Sequence, residues 1–261
     1  MSLFASLNPP VIDWRGERIW VIGASSGIGA ATAQLLLERG ARVALSARKR
    51  DRLEAVAGTH TGALILPFDV TDVRSVEAAH KEIIGLWGGC DRVLIVAGQY
   101  TEMRADGFAL EAARALLDTN LQGVLNVLSV ILPGMIARGS GAIGLVASVA
   151  GYRGLPQALI YGPSKAALIN LAESLFIDLR PRGIAVNLIC PGFVDTPLTA
   201  QNGFPMPALM TPAAAAQALV RGLERGQFEI HFPKRFTRVM KLLRLLPYRW
   251  YFYLIHRFTG L

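Results

Sequence analysis

RIWVIGASSGIG, residues 18–29, joins an apolar, β-rich run to a glycine-rich turn, and AATAQLLLE then continues as a helix. Glycine allows the tight turns and close backbone approach that a pyrophosphate demands. A helix N-terminus adds unpaired N–H groups and the positive end of its dipole. Strand, turn and helix in that order point to a dinucleotide-binding loop made by Gly23, Ser25, Ser26, Gly27, Ile28 and Gly29.

Further short apolar runs follow at 41–47, 62–68, 91–98, 141–148 and 184–190, each bounded by Gly, Pro or charge. They are continuous rather than alternating, as strands of a parallel sheet covered on both faces must be. Helix-length stretches at 27–40, 73–88 and 164–183 lie between them. The pattern predicts an α/β fold, a doubly wound parallel sheet of the Rossmann type, with ligands beyond the carboxyl ends of its strands. The 261 residues divide into a lead-in (1–16), one domain (17–232) and a C-terminal helical extension (233–261).

A composition 52% hydrophobic and 18% charged excludes disorder and coiled coil. Cys90 and Cys190 form no CxxC pair, and His60, His80, His231 and His256 show no ligand spacing, so buried thiols and no metal are expected. The N-terminus lacks the basic start and apolar core of a signal peptide. Thr119–Ala137 is long and uncharged but carries Asn120, Gln122, Asn126 and Pro133, which suits a buried helix better than a membrane span.

The net charge of +8 is not spread evenly. Lys234, Arg235, Arg238, Lys241, Arg244, Arg249 and Arg257 fall in the last 29 residues, with no acid among them. The rest is nearly neutral, so no nucleic-acid partner is expected. Phe236, Val239, Met240, Leu243 and Leu246 follow helical spacing, Pro247 breaks the run, and 248–258 is rich in aromatics. Such a segment either lies on an anionic membrane through 234–258 or packs on the body or a second subunit.

Tyr161 and Lys165 are four apart, one above the other on a helix. Bringing a phenol from about 10 to about 7 takes roughly 4 kcal/mol. One ammonium about 4 Å away supplies roughly that at an effective dielectric of about 20. The pair is therefore a candidate acid/base.

The spacing GxxxGxG with YxxxK resembles the short-chain dehydrogenase/reductase family, and the resemblance extends over about 17–232. It implies that Ser148 bonds the substrate oxygen, that Lys165 lowers the Tyr161 pKa and holds the ribose, and that the Asn120 backbone holds a water leading to Lys165. It further implies that Pro191 and Gly192 form the family's PG motif, with Val194 and Thr196 at the nicotinamide, and that Asp69 meets the adenine amino group; helix N-capping is the alternative for Asp69, a role Asp72 could fill instead. The second strand ends in Leu45-Ser46-Ala47-Arg48, with no acid for ribose hydroxyls. Arg48 suits a 2′-phosphate, so NADP(H) is favoured over NAD, with Ser25 and Ser46 as further donors. Ala97 and Gly98 stand where the family usually has NNAG, and Ile22 where it has Thr.

The resemblance implies an NADP(H)-dependent interconversion of a secondary alcohol and a ketone by a cytoplasmic homodimer or homotetramer. The apolar stretch 197–210, with Leu198, Phe204, Met206, Leu209 and Met210, predicts a lid over an apolar carbonyl or alcohol, in the extreme an acyl-chain compound. A cofactor-binding membrane or partner adaptor with little turnover is the alternative.

Overall fold

The protein is described by a computed structural model covering residues 6–200, 203 and 205–260. Seven parallel strands form one sheet in the order β3-β2-β1-β4-β5-β6-β7. They are β1 (Arg18–Ile22), β2 (Arg42–Ser46), β3 (Ala63–Ile65), β4 (Arg92–Ile95), β5 (Gly141–Val146), β6 (Ile184–Pro191) and β7 (Glu229–Phe232). Along β1, Ile19 and Val21 point into one core and Trp20 and Ile22 into the other, so the strand has no polar face. The helices α1 (Gly27–Glu38), α2 (Arg50–Ala57) and α7 (Pro212–Glu224) cover the first side. On the second lie α3 (Val73–Trp87), α5 (Gly123–Arg138) and α6 (Tyr161–Leu179).

The strand order reverses between β1 and β4, and their carboxyl ends diverge there into a crevice. A seventh strand, β7, was not expected. Its burial alternates, with Ile230 and Phe232 inside and Glu229 and His231 half-buried, as suits an edge strand. The expected helix 164–183 begins earlier, at Tyr161, and ends at Leu179 in a tighter turn, Arg180–Arg182, closed by Gly183.

The run 110–138 is long and apolar enough to cross a membrane by length and composition. It consists of α4 (Leu110–Leu117), a π turn (Asp118–Gln122) and α5. Val124, Val127, Leu128, Ile131 and Met135 of α5 lie in the core, which accounts for the apolar sequence without a bilayer. Both cysteines are free and buried.

The C-terminal residues form α8 (Lys234–Arg244) and α9 (Tyr248–Thr259). Arg153, in the loop after Ser148, fastens both. Its Nη1 donates to the carbonyls of Leu243 (3.0 Å), Arg244 (3.2 Å) and Leu246 (2.6 Å), groups that a helix end leaves unpaired. Its guanidinium lies 4.6 Å from the Tyr248 ring centre and 4.1 Å from that of Tyr251. The buried Tyr251 hydroxyl donates to Gly154 O at 2.6 Å. One side of the extension is therefore packed on the body.

Candidate active site

A single cleft of about 1080 Å³ runs from the glycine loop to α9. At the β1 end the lining is close-packed main chain. Gly23 has φ +96°, and a Cβ there would lie 2.5 Å from Ala97 N. A Cβ on Gly29 would run into the Gly23 carbonyl oxygen. No other residue fits either position, and the small Ala97 is part of the same close approach. Ser26 is the N-cap of α1 with no side-chain cap bond, and no acid lies in the first turn. The unpaired N–H groups of that turn make an anion site at the cleft. Thr196 reaches across to the same turn, its Cγ2 close enough to exclude a Cβ on Gly27. The donors, the glycines and the volume fit a dinucleotide.

Arg48 lines this end and is exposed. Asp69 also lines it, while Asp72 caps α3 by accepting from Arg74 N, so the cap leaves Asp69 free of that role. Asp69 Oδ1 accepts from Thr71 N at 3.0 Å and Thr71 Oγ1 at 2.8 Å. Ser46 is a correction. It is fully buried and its Oγ accepts from Trp20 Nε1 at 2.8 Å, so it is no donor to the cleft.

Ser148, Tyr161 and Lys165 line the cleft together with Gly98, Pro191, Gly192 and Val194. Ser148 Oγ accepts from Ala150 N at 3.1 Å, and its hydroxyl is hydrogen-bonded to the Tyr161 phenol. Lys165 Nζ donates to Val146 O at 3.0 Å and stands 5.8 Å from the centre of the Tyr161 ring. Asn120 lies behind the cleft wall, in the π turn. Its Oδ1 accepts from Gln99 N (2.8 Å), and its Nδ2 donates to Gln99 O (2.9 Å) and Ser164 Oγ (3.2 Å). A Cβ on Gly98 would lie 3.2 Å from Lys165 Nζ and 3.4 Å from Asn120 Oδ1, so that glycine is where the two side chains meet.

The electrostatics correct one expectation. Lys165 does not draw the Tyr161 phenol toward neutrality in this arrangement. Burial pushes Tyr161 up to about 12, and the Ser148 hydrogen bond is what pulls it back. Burial likewise brings Lys165 down to about 8. The ammonium is held by the Val146 carbonyl, and at the phenol burial outweighs the Ser148 hydrogen bond.

Some residues of the site carry no signal in the sequence. Tyr100 meets Tyr161 edge-on, with ring centres 5.1 Å apart. Gln99 fixes Asn120 through its backbone, and Arg153 fastens the C-terminal helices. Of the lid residues, Leu198 and Met206 line the cleft, Leu209 is exposed, and Met210 pairs in a β-bridge with Val194. Phe204 lies outside the described residues. The far end of the cleft is lined by α8 and α9, and Phe236 packs on Phe193 beside the Pro191-Gly192 turn at 5.4 Å between ring centres.

Residues 17–204 match the family described as short chain dehydrogenase. An uncharacterized oxidoreductase of Myxococcus xanthus is 38% identical over 232 residues, 87% of this chain and 91% of that protein. One of Staphylococcus haemolyticus is 33% identical over 213 residues, 81% of this chain and 92% of its own length. Among solved structures, a short chain dehydrogenase from Burkholderia cenocepacia in complex with NADP superposes with a TM-score of 0.79. It is 28% identical, over 90% of this chain and 95% of that one.

Proposed function

The chain belongs to the short-chain dehydrogenase/reductase family and is an NAD(P)-dependent oxidoreductase acting on CH–OH groups, and from that premise we propose that it interconverts an apolar ketone and its secondary alcohol with NADP(H). The observation that carries this reading is the hydrogen-bonded pair Ser148–Tyr161 in one cleft with the glycine loop and an apolar wall.

In this reading the α1 N-terminus and the loop Gly23–Gly29 hold the pyrophosphate. Arg48 takes a 2′-phosphate, Asp69 the adenine amine, Lys165 the ribose, and Val194 and Thr196 the carboxamide. The bound nicotinamide supplies or takes the hydride. Ser148 holds the substrate oxygen. Tyr161, protonated at neutral pH, donates its proton to that oxygen in reduction and takes it back in oxidation. Asn120 acts on Lys165 from behind.

NADP is favoured because β2 ends without an acid and the Burkholderia protein is described with NADP; NAD is the weaker candidate. The adaptor reading finds no support, since the similar proteins are described as oxidoreductases. The same proposal makes the protein cytoplasmic, a homodimer or homotetramer, with a peripheral membrane contact through 234–258.

The test is a panel of ketones of graded chain length with NADPH and NADH in parallel, followed by loss of reduced-cofactor absorbance. Turnover of an alkyl ketone with NADPH is expected. A protein that binds NADPH yet turns over no ketone or alcohol overturns the reading.

A further inference from the structure

We propose that α8 and α9 form an amphipathic roof that rests on an anionic bilayer, and that a single-chain amphiphile bearing the ketone or alcohol enters the cleft from the lipid side. For its chemistry the proposal rests on the oxidoreductase reading above.

The roof has two apolar faces. Inside, Phe236, Met240 and Leu243 of α8 and Leu254, Ile255 and Phe258 of α9 line the cleft. The one polar side chain that these two helices add to the lining is Thr259. A charged headgroup finds no partner there, whereas an alkyl chain does. Val239 and Phe258 line the same cavity yet are 52% and 80% exposed, so the cavity opens at the outer surface of the roof.

Outside, Leu242, Leu245, Tyr248, Trp250, Phe252 and Tyr253 are all exposed within twelve residues. Scattered exposed apolar residues are ordinary, but six within twelve residues, with the Tyr248 and Phe252 rings stacked at 5.7 Å, are not. Trp and Tyr are the side chains that settle at a membrane–water boundary. The patch is set among seven cations without one anion. Of these seven cations, only Lys241 has a carboxylate partner among the described residues, Glu229.

Charge selects the occupant. A second copy docking through the same patch about a two-fold axis would set cations against cations. An anionic lipid surface is complementary to them, and its apolar interior receives the aromatics. The Arg153 clamp ties the α8–α9 corner to the loop that follows Ser148, so the roof stays in place over the cleft when its outer face docks.

The full chain is sedimented with vesicles of phosphatidylcholine, with and without phosphatidylglycerol, at low and high salt. Beside it runs the combined variant Leu245→Gln, Trp250→Gln and Tyr253→Gln, whose side chains are exposed and off the cavity lining. The parent is expected to pellet with the anionic vesicles and to be released by salt. The variant is expected to bind at least about tenfold more weakly. It should lose a similar factor in reduction of a long-chain ketone supplied in those vesicles. Its melting temperature and its rate on a short, water-soluble ketone should match the parent. Turnover of the short ketone without vesicle binding overturns the roof proposal alone. Vesicle binding without turnover of any ketone or alcohol overturns the oxidoreductase reading and the substrate route with it. Equal vesicle binding by parent and variant, or a larger oligomer of the parent that the variant dissolves, also overturns the proposal, the latter by showing a second copy on the patch.

Discussion

At the β1 end of the cleft the wall is main chain; at the α8–α9 end it is side chain. The first is set by close approaches, Gly23 against Ala97 and Gly29 against the Gly23 carbonyl, which tolerate one residue type each. The second is assembled from Leu155, Met206, Met240, Leu243 and Leu254, any of which another apolar residue of similar size could replace. A wall of backbone suits an invariant ligand with phosphates. A wall of exchangeable apolar side chains suits a ligand recognised by bulk and chain length.

If the two ends act separately, substitutions at each should move only their own ligand. The largest effect belongs to the group between them. Tyr161→Phe should lower kcat about 10²–10⁴-fold while the NADPH dissociation constant changes less than about twofold, because only the transferable proton is lost. Single-turnover rates beside cofactor titration would show this, and a matching loss of NADPH affinity would erase the division.

Lys165→Met should trade activity for stability. Burial holds Lys165 near 8, against about 10.4 when unfolded. Below pH 8 both states carry the proton, and the folded one bears the full desolvation cost. Between about 8 and 10.4 the unfolded chain binds more protons, so stability rises with pH across that window. Removing the charge should stabilise the protein by about 1–2 kcal/mol at pH 7, after the unpaired Val146 carbonyl is charged against the gain. The gain should fade above pH 10, and denaturant titrations at several pH values measure it.

Arg48→Ala should narrow the preference for NADPH over NADH by about tenfold, or about 1.4 kcal/mol, with kcat/KM for the ketone at saturating NADPH unchanged. The smallest effect is expected at the other end. Leu254→Ala should lower kcat/KM for a long-chain ketone by about threefold to tenfold through lost apolar contact and leave both cofactor affinities alone. A shift in NADPH affinity there would mean that the two ends are coupled.

The same division governs what the sequence discloses. Gly23, Gly29, Tyr161 and Lys165 are legible because phosphate approach and proton transfer ask for those residue types at those spacings, whereas Ser148 is picked out by the family resemblance. Continuous apolar strands are legible for the same kind of reason, since two covered faces leave no room for polar side chains. The edge strand β7 escapes because Glu-Ile-His-Phe alternates and is only four residues long. Gln99, Tyr100 and Arg153 escape because loops carry no period and their contacts, to Asn120, Tyr161 and the α8 carbonyls, join residues far apart in the chain. The C-terminal extension is legible by halves. Its charge and aromatics are plain, but which face closes the cleft depends on Arg153 and Tyr251.

The π turn at Asp118–Gln122 makes the site depend on the length of the chain as well as on its chemistry. Its bond from Gly123 N to Asp118 O spans one residue more than an α-helical bond. Deleting one residue from it would close 110–138 into a regular helix with little change of phase, because four α-helical residues turn about as far as five in a π turn. Asn120 would lose the placement against Gln99 and Ser164 that the wider turn gives it, while α5 kept its stripe toward the core. No side chain named in the cleft would have been altered. Substitution can retune this enzyme one contact at a time, whereas a three-nucleotide deletion at this point would leave the helix in phase and remove the turn that presents Asn120.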